Sequence, residues 1–188
     1  AGAEITDATG ALGADIVFKI HKPTFDEIRR LRRGAVLISL LDMCHDDGTF
    51  DALAAQGVDS FALEMIPRLS RAQTMDVLSS QSNIAGYRAV LEAARLYGRF
   101  FPMMMTSAGS AKPARVYVLG AGVAGLQAIA TARRLGAQVW AYDVRPEVKE
   151  QVLSLGAKFV EFELGESGSG TGGYAKQLSA ETQRHEQR

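Results

Sequence analysis

The chain has 188 residues, 47% hydrophobic and 22% charged, and its 21 basic and 21 acidic residues give a net charge of zero. This composition fits an ordinary globular protein and argues against nucleic acid or an acidic membrane surface as the main partner. The single cysteine, Cys44, excludes an internal disulfide and fits a reducing compartment. No apolar stretch reaches the ~18 residues that a membrane-spanning helix needs.

Taken in order, Ala14–Ile20 predicts a short apolar strand that turns at His21-Lys22-Pro23. Thr24 is placed to cap a helix over Phe25–Leu31, with Asp26 and Glu27 in its first turn, Arg29 to Arg33 near its last, and Gly34 as its stop. Ala35–Leu41 reads as a buried parallel strand, Asp51–Gln56 as a helix stopped by Gly57, and Val58–Leu63 as a third strand. Strand–helix–strand–helix–strand predicts an α/β lobe with a parallel sheet. His21 and His45 lack ligand-spaced partners, so they read as structural or solvated histidines, and no metal site is expected.

The segment Glu64–Asn83 follows the third strand at its carboxyl end, where open α/β sheets place ligands. It is polar and too long for a simple connection. Arg68, Arg71, Gln73, Asp76 and Ser79 could face one ligand; a capped helix with an Arg71–Asp76 surface pair carries about equal weight. Ile84–Phe101 predicts a long amphipathic helix halted by Pro102, suited to connect two lobes. Ala108–Pro113 reads as a loop.

Val116–Leu119 then runs straight into Gly120-Ala121-Gly122-Val123-Ala124-Gly125, which opens the helix pattern Leu126–Leu135 with Gly136 as its cap. A second apolar run, Gln138–Tyr142, ends on Asp143, near the spacing of about 20 residues that a dinucleotide-binding fingerprint carries. Gly120 permits a tight turn, Gly122 lets backbone N–H groups approach a pyrophosphate, and Gly125 lets helix and strand pack closely. The helix N-terminus offers unpaired N–H groups and a positive dipole to phosphates. Asp143 is placed to accept hydrogen bonds from the adenosine ribose, and its negative charge favours NAD over NADP; Arg145 nearby works the other way. A domain of this type that no longer binds nucleotide is the alternative.

Arg145–Leu153 predicts a helix with Pro146 at its start, and Gly156–Glu161 a strand. Gly165–Gly173 carries five glycines and reads as a mobile loop, with Tyr174 at its far end either folding over a cofactor or merely packing. The chain opens without an initiator Met, and a doubly wound half-sheet needs more strands than follow Val160, so a piece of a longer polypeptide is expected.

Two stretches carry a resemblance: Pro67–Arg88 and Gly120–Ala130. Together they closely resemble the NAD(H)-binding component, domain I of the alpha subunit, of proton-translocating NAD(P) transhydrogenases, within the alanine dehydrogenase/transhydrogenase family. The likeness runs over essentially the whole chain, including Gly172–Lys176. It implies two Rossmann-like parallel-sheet lobes joined by a long helix, both incomplete here. The first lobe would cover 1–83 with a cofactor loop at 67–83, the connecting helix 84–101, and the NAD-binding lobe 102–188.

The resemblance also implies roles. Arg68, Leu69, Ser70, Gln73, Thr74, Met75, Asp76 and Ser79 would belong to the loop around the nicotinamide, its ribose and the pyrophosphate, with Arg68, Gln73, Asp76 and Ser79 positioning the hydride. Gly120, Ala121, Gly122, Val123 and Gly125 would form the pyrophosphate turn, and Asp143, Val144 and Arg145 the adenosine end. Tyr174 would belong to a loop that closes on the nucleotide. Hydride would pass directly from NAD(H) to NADP(H) held by a partner domain, with no protein acid or base, while a membrane domain couples that step to proton translocation. A homodimer is implied, at the cytoplasmic face of a bacterial membrane or the matrix side of a mitochondrial one. The runner-up is alanine dehydrogenase, whose substrate-binding lysine could correspond to Lys19; its catalytic histidine would be expected at Ser39–Asp42, where there is none. A non-catalytic NAD-binding module is the third reading.

Overall fold

The computed structural model describes residues 2–45, 47–161 and 176. Tyr174 and the glycine-rich loop 165–173 lie outside the described residues. The chain divides into two compact units, Ala1–Leu78 and Ser79–Arg188. Both are α/β with parallel sheets.

In the first unit the order is α1 (Ala8–Leu12), β1 (Ile16–Phe18), α2 (Phe25–Arg30), β2 (Val36–Ser39), α3 (Thr49–Gln56) and β3 (Asp59–Ala62). The three strands form one parallel sheet, β1-β2-β3, with Val17 opposite Leu37 and Leu37 opposite Ser60. The Thr24 cap forms as a full capping box: Thr24 Oγ1 accepts from the Glu27 amide and Glu27 accepts from the Thr24 amide. The helix ends at Arg30, because Leu31 turns extended, so Gly34 serves the turn into β2 rather than stopping α2. Gly57, left-handed at φ +71°, closes α3 as expected. Leu12, Val17, Ile28, Leu31, Leu37, Leu41, Leu53 and Val58 form the core. The sheet is not buried throughout, since Phe18 and Phe61 project exposed from β1 and β3.

The second unit contains most of α4 (Val77–Leu96), then β4 (Met104–Thr106), β5 (Gly109–Ala111), β6 (Arg115–Leu119), α5 (Val123–Arg134), β7 (Gln138–Tyr142), α6 (Lys149–Ser154) and β8 (Lys158–Phe159). The long helix starts seven residues before the expected Ile84, so Ser79 and Asn83 are helical. It stops at Leu96 rather than Phe101. Gly98, at φ +67°, takes the left-handed position past its end, ahead of Pro102. Residues expected as loop instead form an antiparallel hairpin, with Thr106 opposite Gly109. Pro146 opens a short 3₁₀ turn, Pro146–Val148, ahead of α6.

The strands β6-β7-β8 form a parallel sheet in which Leu119 lies opposite Tyr142, so the carboxyl ends of β6 and β7 finish side by side. Ile129 and Ala132 of α5 and Val152 of α6 are fully buried against Val139 and Ala141 of β7. Burying a side chain such as Ile129 or Val152 contributes about 1.5–3 kcal/mol. This core fixes α5 behind the glycine turn.

Candidate functional site

The glycine turn is built by three glycines with three different physical reasons. Gly120 sits at φ +93°, a conformation that disfavours side chains, and its N–H donates to the Tyr142 carbonyl at 2.8 Å. A Cβ on Gly125 would lie 1.8 Å from the Gly120 carbonyl oxygen, so only glycine lets α5 start this close to β6. Gly122 differs: its φ of −76° suits any residue, and a Cβ there would meet nothing within 4 Å. Neither backbone nor packing demands glycine at that position.

Gly122 is also the N-cap of α5, and no side chain caps that end. The first turn holds no acidic residue, while Arg133 and Arg134 lie in the last. The positive end of the helix dipole is therefore unopposed by local carboxylates, and the first amides of a 12-residue helix point outward at the turn. This arrangement suits a phosphate.

Asp143, directly after β7, is the hub of the turn. Its Oδ2 accepts from the Ala121 amide at 2.7 Å and from Arg145 Nη2 at 2.9 Å. Its Oδ1 accepts from the Arg145 amide and from Arg145 Nε, each at 2.9 Å. Both residues are 8% exposed. Burial pushes the Asp143 carboxyl up, but the Arg145 guanidinium and the two amides outweigh it and hold the group below the ordinary aspartate range. The hydrogen bond from Asp143 raises the Arg145 guanidinium in turn, against its own desolvation. A carboxylate offers about four acceptor positions. All four are taken here, so Asp143 acts first as an organiser of the turn.

Helix α4 packs directly on this element. A Cβ on Gly86 would lie 2.0 Å from the Ala124 carbonyl oxygen, so the two helices touch backbone to backbone. Asn83 Nδ2 donates to Gln127 Oε1 at 3.3 Å, and Gln127 Nε2 donates to Thr131 Oγ1 at 3.1 Å. Ser79, about one turn before Asn83, is half-buried.

The other expected residues lie on the first unit. Two 3₁₀ turns, Leu63–Met65 and Ser70–Met75, carry the chain from β3 to α4. Ala72 is buried and anchors the second turn, leaving Leu69, Ser70, Gln73, Thr74 and Met75 on the surface. The ion pair runs from Arg68 Nε to Asp76 Oδ2 at 4.0 Å; the Arg71–Asp76 alternative does not form. Glu64 has no assigned role in the sequence pattern, yet its carboxylate accepts from the Leu41 amide at 2.9 Å and from the Met43 amide at 3.3 Å. It thereby ties the start of this segment to the carboxyl end of β2. A glutamate just past a strand end is the available signal.

Thus Gly120, Ala121, Gly122, Val123, Gly125, Asp143, Val144 and Arg145 come together around one turn, with Val123 exposed and Val144 half-buried. Arg68 meets Asp76 on the first unit. Lys19 is engaged elsewhere: its Nζ lies 2.7 Å from Glu27 Oε1.

Comparison with known proteins agrees over the whole chain. The family model described as alanine dehydrogenase/PNT, N-terminal domain, matches residues 1–85, and that described as alanine dehydrogenase/PNT, C-terminal domain, matches residues 89–187. The NAD(P) transhydrogenase subunit alpha of Cereibacter sphaeroides is 51% identical over 185 residues, covering 96% of this chain and 35% of the relative. In Rhodospirillum rubrum the matching relative is the first of the separate pieces that make up that subunit; it is 50% identical over 190 residues, covering 96% of this chain and 50% of its own length. An alanine dehydrogenase from Mycolicibacterium smegmatis is 33% identical over 150 residues, covering 77% of this chain and 40% of its own length. The solved transhydrogenase from Sinorhizobium meliloti superposes with a TM-score of 0.82 at 54% identity, covering 85% of this chain and 48% of that one. The chain therefore spans about half the length, or less, of the relatives it matches.

Proposed function

The chain belongs to the alanine dehydrogenase/PNT family, nearer its transhydrogenase than its alanine dehydrogenase members, and from that premise we propose that it is the NAD(H)-binding part of a transhydrogenase. In this reading hydride passes directly between NAD(H) here and NADP(H) on a partner domain, and a membrane domain couples the step to proton translocation. The Rhodospirillum relative is itself named as one piece of a subunit, which supports a working assembly of several pieces.

The observation that carries the reading is Gly122. The turn keeps a glycine where neither conformation nor packing calls for one, at the uncapped, positive end of α5. A pyrophosphate lying against that backbone supplies the missing reason. Gly122, Val123 and the following amides would hold it, and Asp143 would hold the turn in shape through Ala121. Tyr174 is proposed to belong to a closing loop.

Direct transfer between two nicotinamide rings needs their C4 atoms close and aligned, with water kept out, and no protein acid or base. Residues that orient suffice. Gln73, Asp76 and Ser79 are proposed to hold the carboxamide and ribose end, with Leu69, Ser70, Thr74 and Met75 lining the same segment. Arg68 offsets negative charge beside Asp76. The alanine dehydrogenase alternative requires Lys19 to receive a substrate carboxylate, but Lys19 is paired with Glu27.

The test is fluorescence titration with NADH and NADPH, followed by NADH-dependent reduction of an NADP analogue in the presence of an NADP(H)-binding domain. Binding of NADH with transfer to the analogue is expected. Turnover of pyruvate and ammonia instead would move the chain to alanine dehydrogenase, and binding with neither reaction would leave a nucleotide-binding module.

A further inference from the structure

Arg145 stands where a dinucleotide site of this type meets the adenosine ribose, on the two-residue step after β7. An arginine in that neighbourhood ordinarily accommodates a 2′-phosphate. Here it is turned away from that task. Its Nε and Nη2 form a two-pronged bond to Asp143, and its own amide adds a third donor to the same carboxylate. The pair is deeply set, with side chains 10% and 5% exposed. The carboxylate is held in place by the Ala121 amide as well, so it cannot swing away without loosening the glycine turn.

Building on the dinucleotide reading of this turn, we propose that Arg145 is a latent 2′-phosphate receptor held closed by Asp143, and that the Asp143–Arg145 pair sets the selection against 2′-phosphorylated dinucleotides. A 2′-phosphate arriving at this point meets the Asp143 carboxylate, and the cation that would offset its charge is already bonded. An unphosphorylated ribose meets no such repulsion. Removing the carboxylate reverses the situation, because a buried guanidinium without an anion is strongly unfavourable. The fork that gripped Asp143 matches a phosphate equally well, through two parallel N–H bonds. The negative charge of Glu147 also bears on Arg145 and limits the gain without abolishing it.

The test uses the full chain as wild type, Asp143→Asn, and the double variant Asp143→Asn with Arg145→Met, each titrated with NADH and NADPH by fluorescence. Asp143→Asn should lower the NADPH dissociation constant by about tenfold, and the double variant should lose that gain. Inorganic phosphate should raise the melting temperature of Asp143→Asn alone. Where Asp143→Asn folds poorly, Asp143→Ser keeps an acceptor for the Ala121 amide and carries the same expectations. An Asp143→Asn protein that binds NADH normally but gains nothing toward NADPH overturns the proposal. So does a gain that survives loss of Arg145, since repulsion by Asp143 alone then explains selectivity. Failure of the wild type to bind NADH is a separate result, and it removes the dinucleotide reading together with this one.

Discussion

The backbone N–H of Ala121 donates to Asp143 Oδ2 across 2.7 Å, tying the turn after β6 to the first residue after β7. The two positions are 22 apart in the chain, and the bond closes the space between the carboxyl ends of two adjacent parallel strands. It converts a glycine-rich turn, which would otherwise sample many shapes, into one shape. Arg145 then fixes the carboxylate itself.

This hub has a pH signature. The Asp143 carboxyl is lower in the folded protein than its ordinary 3.8. A carboxyl lowered by folding stabilises the fold above its unfolded value and loses that contribution as pH falls through the folded value. Stability from this group should be constant above about pH 5 and decline below about pH 4. Asp143→Asn should cost about 3 kcal/mol at pH 7, because a buried guanidinium loses its charge partner, and should flatten that part of the acid limb. Urea unfolding at a series of pH values measures both. An acid limb unchanged by the substitution would contradict the hub.

Two glycines should prove intolerant for packing alone. Gly125→Ala forces a Cβ against the Gly120 carbonyl, and Gly86→Ala forces one against the Ala124 carbonyl. Each should destabilise by about 1–3 kcal/mol, read as a shift in the denaturation midpoint. The contacted atoms are backbone, which cannot rotate aside. Wild-type stability in either variant would mean that the helices do not approach as described.

At the start of α2, Thr24→Ala should cost about 1 kcal/mol by removing a capping-box partner. Lys19→Met should cost less, at most about 1 kcal/mol, since the Lys19–Glu27 pair is only partly buried. Thermal unfolding of the two variants ranks them. The reverse order would make the ion pair, rather than the cap, the anchor of this helix.

How much of this is legible in the chain depends on whether the information is local. The Thr24 box, Gly57, and the strand–turn–helix–strand run from Arg115 to Tyr142 announce themselves, because periodicity and caps act over a few residues. The start of α4 does not: Ser79, Ser80, Gln81, Ser82 and Asn83 look like a polar loop, yet they extend a helix whose seat is Gly86 against α5. The Met104–Ala111 hairpin escapes notice because its turn, Ser107-Ala108, lacks the usual Asn-Gly or Gly-rich signal. The residues of the glycine turn cluster as expected, but the bonding of Asp143 is invisible in the sequence. Its partner Ala121 is a backbone donor, which no side-chain pattern advertises.

Gln73 is exposed on its 3₁₀ turn and supports nothing in the core, so Gln73→Ala should leave the melting temperature unchanged. If it orients the nicotinamide, hydride transfer should slow by about tenfold to a hundredfold while NADH affinity changes little. Stopped-flow transfer against equilibrium titration separates the two. An unchanged transfer rate would remove Gln73 from the site.

The most direct test of the nucleotide reading is Gly122→Ala, measured by NADH titration alongside thermal unfolding. A Cβ at this position meets no atom of the protein and requires no unusual backbone, so the fold should be untouched. The expected result is an unchanged melting temperature with NADH affinity lowered by at least about tenfold, because the methyl group stands where a pyrophosphate must approach. Unchanged NADH affinity in a folded Gly122→Ala protein would contradict it.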